Sequence, residues 1–216
     1  MNLHKQVLTT ALLLMIFAVI GAGVVGLTYE STYERIKRNE QIVMLRKLNT
    51  ILAPSEYDND LLADQIELGP DPLLGTGETS KAYPAFKDNA PVAIVLSPVA
   101  PSGYSGPIHM LVGIYHDGTV AGVRVVRHRE TPGLGDAVES QRSDWILGFD
   151  DKSLDNPTSK QWKVKRDGGI FDQFTGATIT PRAVVKAVHS ALLYFEQHHK
   201  TLFKGTQDGG AADQNS

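Results

Sequence analysis

Between Val7 and Thr28 the chain carries no charged residue. As a helix, these 22 positions rise about 33 Å at ~1.5 Å per residue, enough to cross the hydrocarbon core of a bilayer. So long an apolar run cannot lie on the water-facing surface of a globular domain, and the rest of the fold must be built after it. A cleaved signal peptide is the alternative. His4 and Lys5 would form its short charged region, and Gly21 and Gly23 a small-x-small cleavage pattern. The apolar run nevertheless continues through Val24, Val25 and Leu27, past that point, which favours an uncleaved anchor. Gly21, Gly23 and Gly26 leave room for a neighbouring membrane helix. Arg35, Lys37 and Arg38 follow the run and oppose the weak N-terminal charge, so charge counting does not settle its orientation.

The 216 residues leave room for one domain with a good core beyond the anchor. A net charge of −3 gives no reason to expect nucleic acid as a partner. There is no cysteine, which excludes a disulfide framework, a thiolate metal site and an iron–sulfur cluster ligated by this chain in the usual way. The seven histidines show no ligand spacing: His198 and His199 are adjacent and face different ways on a helix, and His109, His116 and His128 lack a paired ligand. No P-loop, dinucleotide fingerprint or nucleophile elbow is present, so a self-contained NAD(P)H dehydrogenase is not expected.

After the anchor, Ile36, Val43, Met44, Leu48, Ile51 and Leu52 recur at helical spacing over Thr32–Leu52, with Glu34 and Arg38 paired one turn apart and Pro54 as the stop. The stripe either packs on its own domain, the preferred reading, or forms a stalk against a partner. Residues 55–79 are acidic and punctuated by Gly and Pro, which predicts loops with short strands. Strands are predicted over Tyr83–Phe86 and Val92–Val99, joined by a turn at Lys87–Ala90, and over Ile108–Tyr115 and Val120–Arg127, joined by a hairpin at Asp117-Gly118. Ala137–Leu147 is predicted to be a helix capped by Asp136, with Trp145 and Phe149 in the core. Asp150–Lys160 reads as a polar loop and Gln161–Lys165 as a short strand. A closing helix buries Val184, Val188, Ala191, Leu192 and Phe195. Residues 205–216 are too polar and Gly-rich to order. The fold class is therefore α+β: an antiparallel sheet with flanking helices on one N-terminal transmembrane helix. The domains are 1–28 (stub and anchor), 29–80 (helical stalk and connection), 81–203 (the globular domain) and 204–216 (tail).

The stretch with the most chemistry is Asp172–Pro181, D-Q-F-T-G-A-T-I-T-P. Gly176 and Ala177 sit between the hydroxyl residues Thr175 and Thr178, just before a helix start in which Thr180 can cap and Pro181 can occupy the first turn. Backbone N–H groups there suit an anion such as phosphate, and the two small residues leave space for a bulky group hung from the Thr178 oxygen. Taken alone, the four residues Thr175–Thr178 are also what a simple capped turn looks like. Two further Gly-rich segments join this one: G-Y-S-G-P-I over Gly103–Ile108 and E-T-P-G-L-G over Glu130–Gly135, where Pro132-Gly133 predicts a type II turn. There Glu130 and Thr131 can present polar groups to a planar ligand, while Gly133 and Gly135 leave it room.

These three segments, in this order, resemble the covalent FMN-binding domain family of the Rnf and Nqr respiratory complexes, whose flavinylation motif is D-x-x-[S/T]-G-A-[T/S]. The resemblance spans roughly residues 83–195. It implies FMN joined by a phosphoester to Thr178, with Asp172, Thr175, Gly176 and Ala177 as recognition context and with Glu130, Thr131, Gly133, Leu134 and Gly135 around the flavin. Arg129 or Arg182 would then stabilise the reduced flavin. It further implies maturation by a flavin transferase using FAD and magnesium, and an electron-carrier subunit with no self-contained catalytic activity. That subunit would sit in the bacterial inner membrane with its flavin domain on the periplasmic side, among membrane and iron–sulfur or flavin subunits. The G subunits of Rnf-type ferredoxin:NAD oxidoreductases are the nearest likeness. The alternatives are the C subunits of sodium-pumping NADH:quinone reductases, a stand-alone exported electron donor, and a non-redox exported binding or scaffold domain.

Overall fold

A computed structural model describes residues 3–203. The expected disordered tail and the Glu34 side chain lie outside the described residues. The chain divides into two compact units between Met44 and Leu45. Helix α1 (Leu3–Asn49) supplies the first unit through Met44 and its last residues belong to the second; among the described residues it is the one helix long and apolar enough to cross a membrane. No Gly or Pro falls between Leu27 and Asn49, so nothing interrupts the helix after the apolar run. Anchor and amphipathic stretch are thus one element. Of the predicted stripe, Leu48, Ile51 and Leu52 are buried, whereas Ile36 and Val43 are half-exposed. Only its C-terminal end meets the expectation of packing on its own domain.

The second unit holds one antiparallel sheet: β1 (Ile66–Leu68), β2 (Ser80–Lys87), β3 (Ala90–Leu96), β4 (Val99–Ala100), β5 (Ile108–Tyr115) and β6 (Val120–Arg127). β1 to β3 are neighbours in order, β3 pairs with β5, and β6 pairs with the far edge of β5. The predicted strand Val92–Val99 is split, because Ser97-Pro98 interrupts the ladder before β4 resumes beside β5. The β2–β3 turn places Asp88 and Asn89 at positive φ, 51° and 60°, as a two-residue hairpin requires. Residues 45–80 fold with this unit: β1 extends the sheet, and Asn59 binds the backbone of Pro84 and Phe86.

Alternation along the strands gives two buried faces. Ala82, Ile94, Leu96, Met110, Val112 and Ile114 belong to the core closed by helix α2 (Ile179–Leu202), whose predicted stripe is buried throughout. On the opposite face Gly113 pairs with Gly122 across β5–β6, and the Ile51 side chain fills the flat spot they leave; a Cβ on Gly113 would lie 2.2 Å from Ile51 Cγ2. α1 ends at Asn49, as the Pro54 stop requires, since Pro54 has no N–H to give the Thr50 carbonyl, and β6 takes up the helix end instead. Arg124 donates to the Thr50 carbonyl (2.8 Å) and Lys47 donates to that of Val126 (2.9 Å).

Two predicted elements are corrected. Ala137–Leu147 is not a helix but two short 3-10 segments, Gly135–Val138 and Asp144–Phe149. Ser143 breaks the run, accepting from Trp145 N–H and donating to the Ala137 carbonyl. Asp136 is buried inside the first segment rather than capping it, and Phe149 is core. Gln161–Lys165 is not a strand either. The chain doubles back over Gly168-Gly169, with Gly168 at φ +83° and Gly169 pressed against the Lys163 carbonyl, so only Val164 and Phe171 form a bridge.

Candidate functional site

The segment before α2 closes a turn in which the Ala177 N–H reaches the Phe174 carbonyl (3.2 Å), with Gly176 at φ +81°. A β-carbon there would be strained by that φ, and it would also sit 3.3 Å from Leu134 Cδ2. The turn delivers Thr178 to the N-cap position of α2, half-buried. Among the described residues nothing hydrogen-bonds the Thr178 hydroxyl, and it caps no backbone group. The free N–H groups of the first helical turn lie beside it, at the positive end of the helix dipole. Thr180, expected to be the cap, is instead inside the first turn and fully buried, donating its hydroxyl to Glu130 Oε2. Pro181 is in the first turn, as expected.

The turn after β6 follows its Pro-Gly prediction: Leu134 N–H meets the Thr131 carbonyl at 3.1 Å and Gly133 has φ +77°. It is anchored by Glu130, only 4% exposed. Glu130 Oε1 accepts from the Ser105 N–H (3.0 Å) and Oε2 from Thr180, so both oxygens face protein groups rather than standing free for a ligand. The Glu130 N–H donates to His128 Nδ1 (3.0 Å), which makes Nδ1 the acceptor and assigns the ring proton to Nε2, donated to Glu139 Oε1 (2.8 Å).

Between these segments lies a cleft of about 410 Å³, within the usual size of small-molecule sites. Seven of the ten predicted site residues line it: Glu130, Thr131, Leu134, Gly135, Gly176, Ala177 and Thr178. Gly133, Asp172 and Thr175 do not. Asp172 is exposed and ion-paired to Lys165 Nζ (2.6 Å), while its carbonyl accepts from Trp145 Nε1 (2.8 Å). Thr175 is exposed on the turn.

The sequence reading missed Tyr104, Ile179 and Thr180, which complete the lining. Tyr104, Leu134 and Ile179 are three of the four exposed large hydrophobic side chains in the described part of the compact unit, the fourth being Leu147. That clustering is invisible without the fold; in the sequence, an aromatic between two glycines and an isoleucine between two threonines were the available hints. The expected cations are elsewhere. Arg182 is paired bidentately with Asp167 (2.6 and 2.8 Å), which holds the Asp167 carboxyl below and the guanidinium above their ordinary values, and Arg129 is exposed outside the cleft. Glu130 is the one charged residue in the lining. A larger cavity, about 650 Å³, lies near the other end of α2 beside His116 and Phe195, but none of the motif residues reach it. Chemistry rather than size therefore selects the smaller cleft.

An apolar-rimmed cleft with two small residues at its floor and an unengaged hydroxyl at a helix N-terminus fits a phosphate-bearing planar group. Comparison with known proteins agrees. Residues 103–193 match the family described as FMN-binding domain, and residues 1–51 match the RnfG N-terminal region. The G subunit of the ion-translocating oxidoreductase complex of Vibrio cholerae is 48% identical over 191 residues, covering 88% of this chain and 91% of the relative. Proteins of the same description from Pseudomonas aeruginosa and Shewanella oneidensis are 45% and 43% identical, covering 96% and 93% of this chain and 97% and 95% of theirs.

Proposed function

The chain belongs to the family of G subunits of ion-translocating oxidoreductase complexes, and from that membership we propose how its cleft works: Thr178 holds FMN as a phosphoester and presents it for electron transfer. It is a membrane-anchored electron-carrier subunit of a multi-subunit membrane complex, with an FMN-binding domain and no self-contained catalytic activity. FMN supplies chemistry that side chains lack, exchanging electrons singly or in pairs. The observation that supports Thr178 as the acceptor is its hydroxyl, half-buried in the cleft and unengaged at the start of α2.

In maturation the Thr178 oxygen bonds to the flavin-side phosphorus of FAD, the pyrophosphate P–O bond breaks, AMP departs, and the hydroxyl proton is lost. A flavin transferase with magnesium catalyses this step. The N–H groups of the α2 first turn would hold the phosphate, Gly176 and Ala177 would give it room, and Tyr104, Leu134 and Ile179 would shield the flavin from water. Asp172 and Thr175, outside the cleft, are surface features for the transferase to read. The domain faces the periplasm, where covalent attachment makes flavin occupancy independent of free FMN. Its electron partners are iron–sulfur and flavin subunits of the same complex, which conducts electrons between ferredoxin and NAD.

The test is peptide mass spectrometry of full-length protein co-expressed with a flavin transferase. An FMN increment on the peptide containing Thr178, lost in Thr178→Val, is expected. Equal loading of Thr178→Val and the parent would refute the assignment.

A further inference from the structure

Two glycines from separate motifs are backed against the same carboxylate. A β-carbon on Gly103 would sit 2.9 Å from Glu130 Oε1, and one on Gly135 would sit 2.9 Å from Glu130 Oε2 and 3.0 Å from Thr180 Oγ1. The same two oxygens take the Ser105 N–H and the Thr180 hydroxyl. Glu130 thus touches all three cleft walls: the loop bearing Tyr104, its own turn bearing Leu134, and the first turn of α2 beside Thr178. It is almost wholly buried, and no salt bridge reaches it among the described residues. Among the described residues its carboxylate has neutral donors as partners.

A charge so placed has two effects. Removing the carboxylate leaves the buried Thr180 hydroxyl and the N–H of Ser105, an exposed loop residue, without their acceptor, which loosens the helix start and the Tyr104 loop. Its negative charge also acts through a low-dielectric wall on anything in the cleft, where no cation offsets it. Electrons added beside an anion are disfavoured.

We propose that Glu130 is a positioning residue of the flavin site, whose buried carboxylate clamps the three walls together and biases bound flavin against reduction. The second half rests on the reading that FMN occupies this cleft. Glu130→Gln largely separates the two effects: its amide oxygen still accepts from Ser105 and its NH2 can donate to the Thr180 oxygen, so the charge is lost while both contacts keep a hydrogen bond, the one to Thr180 reversed in direction.

Full-length parent, Glu130→Gln and Glu130→Ala, each co-expressed with a flavin transferase, are compared by hydrogen exchange, by peptide mass for flavin loading and by potentiometric titration of the bound flavin. Glu130→Ala is expected to exchange the Ser105 amide at least tenfold faster, with β2 and β3 amides unchanged as a check on folding, and to load severalfold less FMN. Glu130→Gln is expected to exchange the Ser105 amide at a near-parental rate while its flavin midpoint moves to more positive potential. Parental Ser105 exchange in Glu130→Ala overturns the clamp, and an unmoved or more negative midpoint in Glu130→Gln overturns the bias. If Glu130→Ala does not fold, Thr180→Val replaces it, with faster exchange at the α2 start expected and parental exchange overturning the clamp. A parent without FMN on the Thr178 peptide overturns the flavin reading and the bias with it, while exchange on the unloaded chains still decides the clamp.

Discussion

Thr180→Val removes one hydroxyl and keeps the shape of the side chain, which makes it the cleanest measure of how firmly the helix start is held. Thr180 is fully buried and donates to a carboxylate that is 4% exposed. Hydrogen bonds to charged groups contribute about 1.5–3 kcal/mol, and an unpaired buried charged oxygen falls at the upper part of that range. We therefore expect a loss of about 2–3 kcal/mol. At roughly 2–4 °C per kcal/mol for a unit of this size, the melting temperature should fall by about 4–12 °C. Urea unfolding of the full chain in detergent, followed by tryptophan fluorescence, reports on the right unit, since Trp145 and Trp162 both lie in it. Thr180→Ser keeps the donor and should lose much less. In the Glu130→Gln background the Val substitution should cost less, because no buried charge is left unpaired. A Thr180→Val protein within about 0.5 kcal/mol of the parent, or a Ser variant just as damaged, would refute the argument.

Gly135→Ala should destabilise by about 1–3 kcal/mol through overpacking against Glu130 and Thr180, whereas Gly148→Ala, with open space around it, should be near neutral; paired urea titrations decide. Asp150 is held above the ordinary carboxylate range chiefly by burial, with Arg124 and Lys152 opposing and Asp151 adding to the effect, and among the described residues its Oδ1 has no partner. A raised folded-state value means that stability from the neutral form is complete below the unfolded-state value and is lost as pH rises through the folded-state one. Asp150→Asn should therefore be more stable than the parent at pH 7, with the difference closing below the ordinary carboxylate value of 3.8. Urea midpoints at the two pH values check this, and a less stable Asn variant at pH 7 would mean that attraction to Arg124 outweighs burial.

What the sequence made legible was whatever depended on local chemistry. The uncharged run over 7–28 required a membrane-length helix, Asp117-Gly118 and Asp88-Asn89 required hairpins, and alternation in Val120–Arg127 required a strand with one covered face. The errors arose where a side-chain contact, mostly a distant one, decided the outcome. The stripe on α1 is covered only at its end, where Arg124 and Lys47 tie the residues around Asn49 to β6. Residues 137–147 have the composition of a helix, but Ser143 bonds back to Ala137 and breaks it. Thr180 has the look of a cap, yet Glu130, 50 residues earlier, draws its hydroxyl inward. The cleft cations were misplaced for the same reason, since Asp167 takes Arg182.

Those contacts also explain how one hydroxyl is singled out among three threonines within six residues. Thr175 rides on the outside of the Phe174–Ala177 turn, beyond the cleft. Thr180 lines it, but its hydroxyl is consumed by Glu130. Thr178 alone both faces the cleft and leaves its oxygen unengaged, and it does so because Gly176 takes a φ that turns the chain and Leu134 closes against that glycine. Thr175→Val should accordingly reduce flavin loading far less than Thr178→Val. Thr180→Val should reduce it only to the extent that the helix start loosens, so its loading loss should track the stability loss, whereas that of Thr178→Val should not. A Thr178→Val protein that loses stability in proportion to flavin would instead mean that its oxygen serves the fold rather than the ligand.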